Sequence, residues 1–463
     1  ARLKVTCIPR LHPGARWTRK RGVARGRWRG REPDGCGRRA RSGVSHELAA
    51  KERGRWHSAS LPGATMDPHL AEFLSLLLRW LHVIAGIAWV GSSFYFIWLD
   101  NSLEPPQPDS DAARHGVAGE LWAVHGGGFY NPQKYAVAPA ALPERLHWFK
   151  WEAYTTWLSG TALLVVVYWL KAQSMMLDPS VAAMTGVQAV AVAAASMIVS
   201  WIVYDLLCRS RLGQHDLILG VVVFAYFTFL AWLLTRVLGG RAAFIQVGAA
   251  LGTIMAANVF FVIIPGQRRM VTAMRSGLAP NPRDGKRGKQ RSVHNNYFTL
   301  PVVFTMVSNH YAFTYAHPHS WAVLMLIAGA GIAIRHFLVR RHKGVLAWRY
   351  PAIGVALLSI VGWWTIPRLA PLPPVDGPVT IDQVRTIVGQ RCVTCHSPAP
   401  TFAGIAQAPA GVLLNSADGL TRNAERIYQQ VVVTRIMPLG NATGMTDYER
   451  AVIAAWVKHP AGR

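Results

Sequence analysis

Acidic side chains are scarce in this chain: 23 Asp and Glu stand against 49 Lys and Arg, a net charge of +26. Such an excess is a footprint of nucleic-acid binding, but its placement argues otherwise. Residues 1–65 hold 17 Lys and Arg against 4 Asp and Glu, half of the total. Much of the rest falls in short connections between apolar runs, so a nucleic-acid partner is rejected. Cysteine is scarce too. Of five, Cys7 and Cys36 lie in the basic stretch, Cys208 in an apolar run, and Cys392 and Cys395 near the C-terminus. That is no disulfide framework. No second Cys-x-x-Cys exists, so a zinc site built from two such pairs is excluded. The basic stretch has no apolar periodicity and no h-region, so it is not a signal peptide. It begins with Ala, and Met66 opens Met66-Asp67-Pro68-His69-Leu70 just before a strong apolar segment. Residues 1–65 are therefore expected to be an over-extended, disordered stretch, with Met66 the start.

What the chain has is length in its apolar runs. Hydrophobic residues make up 51% of it, with 18 Trp. Runs of bilayer-spanning length, about 20 residues, recur over 73–99, 149–170, 183–208, 217–235, 242–264, 296–313, 321–337 and 351–366. The connection between the fifth and sixth carries Arg268, Arg269, Arg275, Arg283, Lys286, Arg287, Lys289 and Arg291. That between the seventh and eighth carries Arg340, Arg341, Lys343 and Arg349. The connection between the second and third has only Lys171, and that between the sixth and seventh has none. The positive-inside rule puts the basic connections in the cytoplasm and both termini outside. The expected architecture is all-α: an eight-helix transmembrane bundle over 66–366 in a bacterial inner membrane. A Pro-rich linker follows at 367–378, then a small domain at 379–463.

That last domain carries Cys392-Val393-Thr394-Cys395-His396, the attachment pattern of haem c. Two thiols form thioethers to the vinyl groups, and the adjacent imidazole binds iron. Met437-Pro438 follows, and a thioether is a common sixth ligand. Thr446 and Glu449 have capping-box spacing before an apolar-periodic stretch that reaches Val457. This is the order of a class I cytochrome c, with Met445 the rival to Met437. The domain is expected in the periplasm.

Polar residues within spans are costly and usually functional. His82, His310, Asn295, Asn296 and Asn309 fall in that class, and His82 and His310 could hold a b-type haem or line a substrate cavity. The long first connection adds His125 before three glycines, and His147 beside Trp148, Phe149, Lys150 and Trp151. Interhelical hydrogen bonds and an aromatic belt are the plainer readings of these groups.

Four segments carry a family likeness: Trp80–Phe96, Trp122–Tyr130, Asn295–Phe304 and Ser308–Tyr311. With the Cys392–Met437 domain, they resemble the bacterial membrane-bound, cytochrome c-linked urate oxidases (urate hydroxylases) over Met66 to Val457. The resemblance implies oxidation of urate to 5-hydroxyisourate. Electrons would pass through haem c to a terminal cytochrome oxidase or soluble cytochrome c. On that footing His82, His310 and His125 are candidate catalytic groups. Asn295, Asn296, Asn309 and His147 are candidate urate contacts. The alternative is an electron-carrier subunit with no urate site.

Overall fold

The computed structural model describes residues 68–366, 371–402, 405 and 407–458. The basic stretch 1–65, with Cys7 and Cys36, and Met66 lie outside the described residues.

Helices of unequal length fall on the eight apolar segments. α1 spans Pro68–Ser102; α2 spans Trp151–Leu163 and continues, more widely wound, over Leu164–Trp169. α3 is Gly186–Arg209 and α4 is Asp216–Val237. α5 runs Gly240–Ala257, widens over Asn258–Ile263 and resumes as Ile264–Arg275. α6 is Pro282–Val307, α7 is Ser320–His342 and α8 is Arg349–Trp364. Five of these, α1, α3, α4, α5 and α7, are long and apolar enough to cross a membrane. α2 changes winding part-way, α6 begins with a charged half, and α8 is only 16 residues long.

The chain is mostly helical but not all-α. β1 (Val117–Glu120) pairs antiparallel with β4 (Gln133–Tyr135), and β2 (Ala123–His125) with β3 (Gly128–Tyr130). Gly126 and Gly127, at φ +58° and +81°, close the β2–β3 hairpin. A two-residue turn with both φ positive matches the twist of the flanking strands, which is why glycines stand there. A Cβ on either would meet nothing within 4 Å, so these glycines serve the turn rather than a close approach.

A second difference concerns the basic connection after the fifth segment. Most of it is helical, and only residues 276–281 separate α5 from α6. Asn281 accepts a hydrogen bond from the Arg283 N–H, and Pro282 sits in the first turn, a favourable helix start. Arg269 Nη2 reaches Asp284 Oδ1 at 2.6 Å and clips the two helices together.

α1 packs on α2, α3 on α5, α6 on α5 and α7, and α7 on α8. Small residues mark the seams: Ala189, Ala193, Ala243 and Ala250 are fully buried. α1 leaves Phe73, Leu76, Trp80, Ile84 and Ile87 on its surface.

The C-terminal unit has its own core of Val384, Val388, Cys392, Leu420, Ile453 and Trp456. Two helices frame it, α9 (Ile381–Arg391) and α10 (Asp447–Lys458). Both open on capping boxes. Thr380 pairs with Gln383; the Thr446 N–H reaches Glu449 Oε2 at 2.7 Å, and the Glu449 N–H reaches Thr446 Oγ1 at 3.2 Å. Arg391 Nε donates to Glu449 Oε1 at 2.9 Å and ties α9 to α10. Of the Pro-rich linker, 367–370 lie outside the described residues and 371–378 form neither helix nor strand.

Gly440 seats this unit against the helical part. Its φ is +56°, and a Cβ there would stand 2.9 Å from the Leu177 carbonyl and 3.3 Å from Asp178 Cα. Backbone meets backbone, and only glycine allows it.

Candidate functional site

The Cys-x-x-Cys-His turn follows directly from the end of α9. Cys392 caps that helix through its N–H to Val388 O at 2.8 Å. Cys395 and His396 then turn back, their N–H groups donating to Cys392 O at 3.0 and 2.8 Å. His396 Nδ1 lies 3.1 Å from the Val412 carbonyl. Donation there commits the Nδ1 proton and leaves Nε2 as the free lone pair, the arrangement a metal-binding imidazole requires. Burial pushes the Cys392 thiol up to about 12 and raises that of Cys395 as well. Both therefore stand as neutral thiols, unlike the thiolate of a reactive redox pair. Met437 packs partly buried against the core that holds Cys392. Arg450 Nη1 donates to Met437 O at 2.9 Å and to Val431 O at 2.5 Å, fixing the backbone that presents it. Met445 is 4% exposed, and its N–H is bound by Asn441 Oδ1 at 2.9 Å. The donor set fits haem c: Cys392 and Cys395 for thioethers, and His396 and Met437 for iron.

A different constellation occupies the helical part. Asn295 Nδ2 donates to Met255 O at 2.9 Å, and its Oδ1 accepts from Asn258 Nδ2 at 2.8 Å. Asn258 Oδ1 accepts from Arg291 Nη1 at 3.3 Å, and Arg291 Nη2 pairs with Asp205 Oδ1 at 2.7 Å. Tyr204 OH bridges Asn258 Nδ2, 3.2 Å away, and His294 Nδ1, 2.7 Å away. Asn258 and Asn295 are buried, as is Arg291. Beside this layer, Asn296 Oδ1 accepts from Arg335 Nε, and its Nδ2 lies 3.5 Å from Ser93. The Arg335 guanidinium rests 3.9 Å over the Phe94 ring, and its buried Nη2 has no hydrogen-bond partner among the described residues.

Residues 68–366 match the family model described as Urate oxidase N-terminal. The chain belongs to that family. No curated protein and no solved structure matches it. The urate oxidase match spans α1 to α8 and stops at 366, so it covers the polar layer and leaves Cys392 to Met437 outside.

Within the urate oxidase segment the expected residues do not converge. Asn295 and Asn296 sit side by side in the buried layer. His82 stands apart between α1 and α2, its Nδ1 3.0 Å from Thr156 O and 3.1 Å from Ser159 Oγ. Gly160 makes room for its ring, since a Cβ there would stand 2.8 Å from His82 Cε1. Asn309 Nδ2 donates to Tyr168 OH at 3.0 Å near the opposite end of α6. His310 is exposed, as is His125 in β2. His147 is exposed too, its ring centroid 4.5 Å from that of Phe149.

Sequence reasoning passed over Asp205, Asn258 and Arg335, three polar residues inside apolar runs. The cost of such groups in lipid was the signal for them. Arg291 reads as a loop charge in the sequence because the helical extension of α6 has no hydrophobic signature.

Proposed function

We propose that this urate oxidase family member is a membrane-bound, haem c-linked enzyme that oxidises urate. Helices α1 to α8 would lie in the bilayer. The basic connections would face the cytoplasm, and the C-terminal unit the periplasm, where haem c is attached. The observation that carries the reading is the union, in one chain, of the family-matched helices with a Cys392–His396 turn whose imidazole keeps Nε2 free.

The reaction takes urate and one water to 5-hydroxyisourate, two protons and two electrons. Haem c, when bound, would supply a one-electron acceptor. Cys392 and Cys395 would anchor it, His396 and Met437 would ligate its iron, and Arg450 holds the Met437 backbone. A terminal cytochrome oxidase or a soluble cytochrome c would be the final acceptor.

Anaerobic titration with urate tests this. A reduced haem α-band should grow to completion at half an equivalent of urate per haem. No reduction would favour the electron-carrier subunit. A pyridine haemochrome spectrum tests the b-type haem: a second band assigns it, and haem c alone removes it from His82 and His310.

A further inference from the structure

Among the described residues, Arg241, Arg335 and Arg340 each keep a buried guanidinium nitrogen with no hydrogen-bond partner. Arg335 is 2% exposed and covered by Phe94. Arg241, at the start of α5, instead lines a cavity of about 600 Å³. Asp178, Tyr315 and His317 line the cavity from the helical part, and Arg435 and Asn441 from the C-terminal unit. Gly440, packed on Leu177 and Asp178, closes part of its rim.

The cations around this space are not equivalent. Arg435 pairs with Asp447 at 3.1 Å, Arg450 is committed to the Val431 and Met437 carbonyls, and the exposed Arg236 rests 5.9 Å over the Trp232 ring. Arg241 has no such contact among the described residues. Among the described residues its Nη2 meets only the Met175 thioether, at 3.1 Å, and its buried Nε has no hydrogen-bond partner. Thioether sulfur is a weak acceptor. A cation so placed favours an anion that offers oxygen or nitrogen acceptors in the guanidinium plane.

The place also suits electron transfer. Ile436 and Leu439, which bracket Met437-Pro438, line the same cavity. The buried polar layer is remote by comparison: Asn258 lies about 25 Å along α5 from Arg241, at 1.5 Å per residue. An occupant of the cavity stands beside the segment that presents the iron ligand; an occupant of the layer does not.

We infer that this cavity binds the planar anionic purine, with Arg241 as its anionic anchor. The inference rests on the urate-oxidising reading above. It predicts that the His82 and Asn295–Asn296 groups are structural.

The test uses full-length haem-loaded protein in detergent, reduced anaerobically with dithionite so that urate cannot turn over. Urate binding is read by equilibrium dialysis. Arg241→Gln should raise Kd by about 30-fold, the scale of a charge-assisted hydrogen bond, and Arg241→Lys by less. Ala316→Trp, which fills the cavity from its exposed wall, should abolish binding while the reduced α-band is unchanged. Asn295→Ala should leave Kd within about twofold, as expected of a remote site. If the parent protein binds no urate, the urate reading itself falls. If the parent binds but Ala316→Trp and Arg241→Gln bind equally well, the cavity is not the site and the urate reading stands. Should Arg241→Gln fail to fold, Ala316→Trp alone decides.

Discussion

Arg335 donates from Nε to the Oδ1 of Asn296 and has no ion-pair partner among the described residues. Asn296 is the neutral acceptor that keeps this buried charge tolerable. Asn296→Ala should destabilise the helical part by about 2–3 kcal/mol, because a buried charged donor is then left unmet. Asn296→Asp, which puts a carboxylate beside Arg335, should unfold at a higher temperature than the alanine variant. Thermal unfolding in detergent, followed by far-UV circular dichroism, reads both. An alanine variant as stable as its parent would remove the assigned role.

Gly160 and His82 form a second tight pair. Gly160→Ala places a methyl 2.8 Å from His82 Cε1, and overpacking of this kind costs about 1–3 kcal/mol. His82→Ala in the same protein should recover part of the loss. A double-mutant cycle measures the coupling, and strict additivity would show that the ring moves aside freely.

Met437→Ala should leave haem attached through Cys392 and Cys395 yet lose thioether ligation and electron acceptance from urate. Met445→Ala should instead cost about 2–5 kcal/mol of stability in the C-terminal unit, as for a core methionine. Visible spectra and thermal melts separate the two roles, and exchanged phenotypes would move the ligand to Met445.

Glu449 couples the C-terminal unit to pH. Burial raises its carboxyl, but the Thr446 N–H and Arg391 outweigh that and hold it below its ordinary value of 4.5. The unfolded chain therefore takes up the proton first as pH falls. The stabilisation is present above pH 4.5 and is lost as pH drops through the lower folded value. Glu449→Gln should flatten the fall in stability on acidification, as measured by denaturant melts from pH 6 to pH 3. An unchanged slope would assign the acid sensitivity elsewhere.

The helices of this fold were legible because long apolar runs announce them. The capping box at Thr446 and Glu449 was legible because its spacing is local. The β2–β3 hairpin was readable in principle: Gly126-Gly127 is a turn signal, masked by an all-α expectation for the chain. The extension of α6 back to Pro282 was not legible, since Arg, Lys and Gln form helices with no apolar stripe to announce them. The site divided the same way. Cys392 to His396 is contiguous, so sequence alone assembles it. The Arg291–Asp205 and Arg335–Asn296 pairs join different helices, and pairings of that kind are set by packing. Arg241 lay outside every motif because its significance is a missing partner, which no sequence displays.

The Gly440 contact on Leu177 and Asp178 makes a partner of a domain already joined by chain. Meetings between the two parts then depend on tether length and not on how much protein is present. Dilution leaves their frequency unchanged, so any exchange between the two parts would be independent of protein concentration. A separate, freely diffusing domain would meet the helical part less often in proportion to its own scarcity.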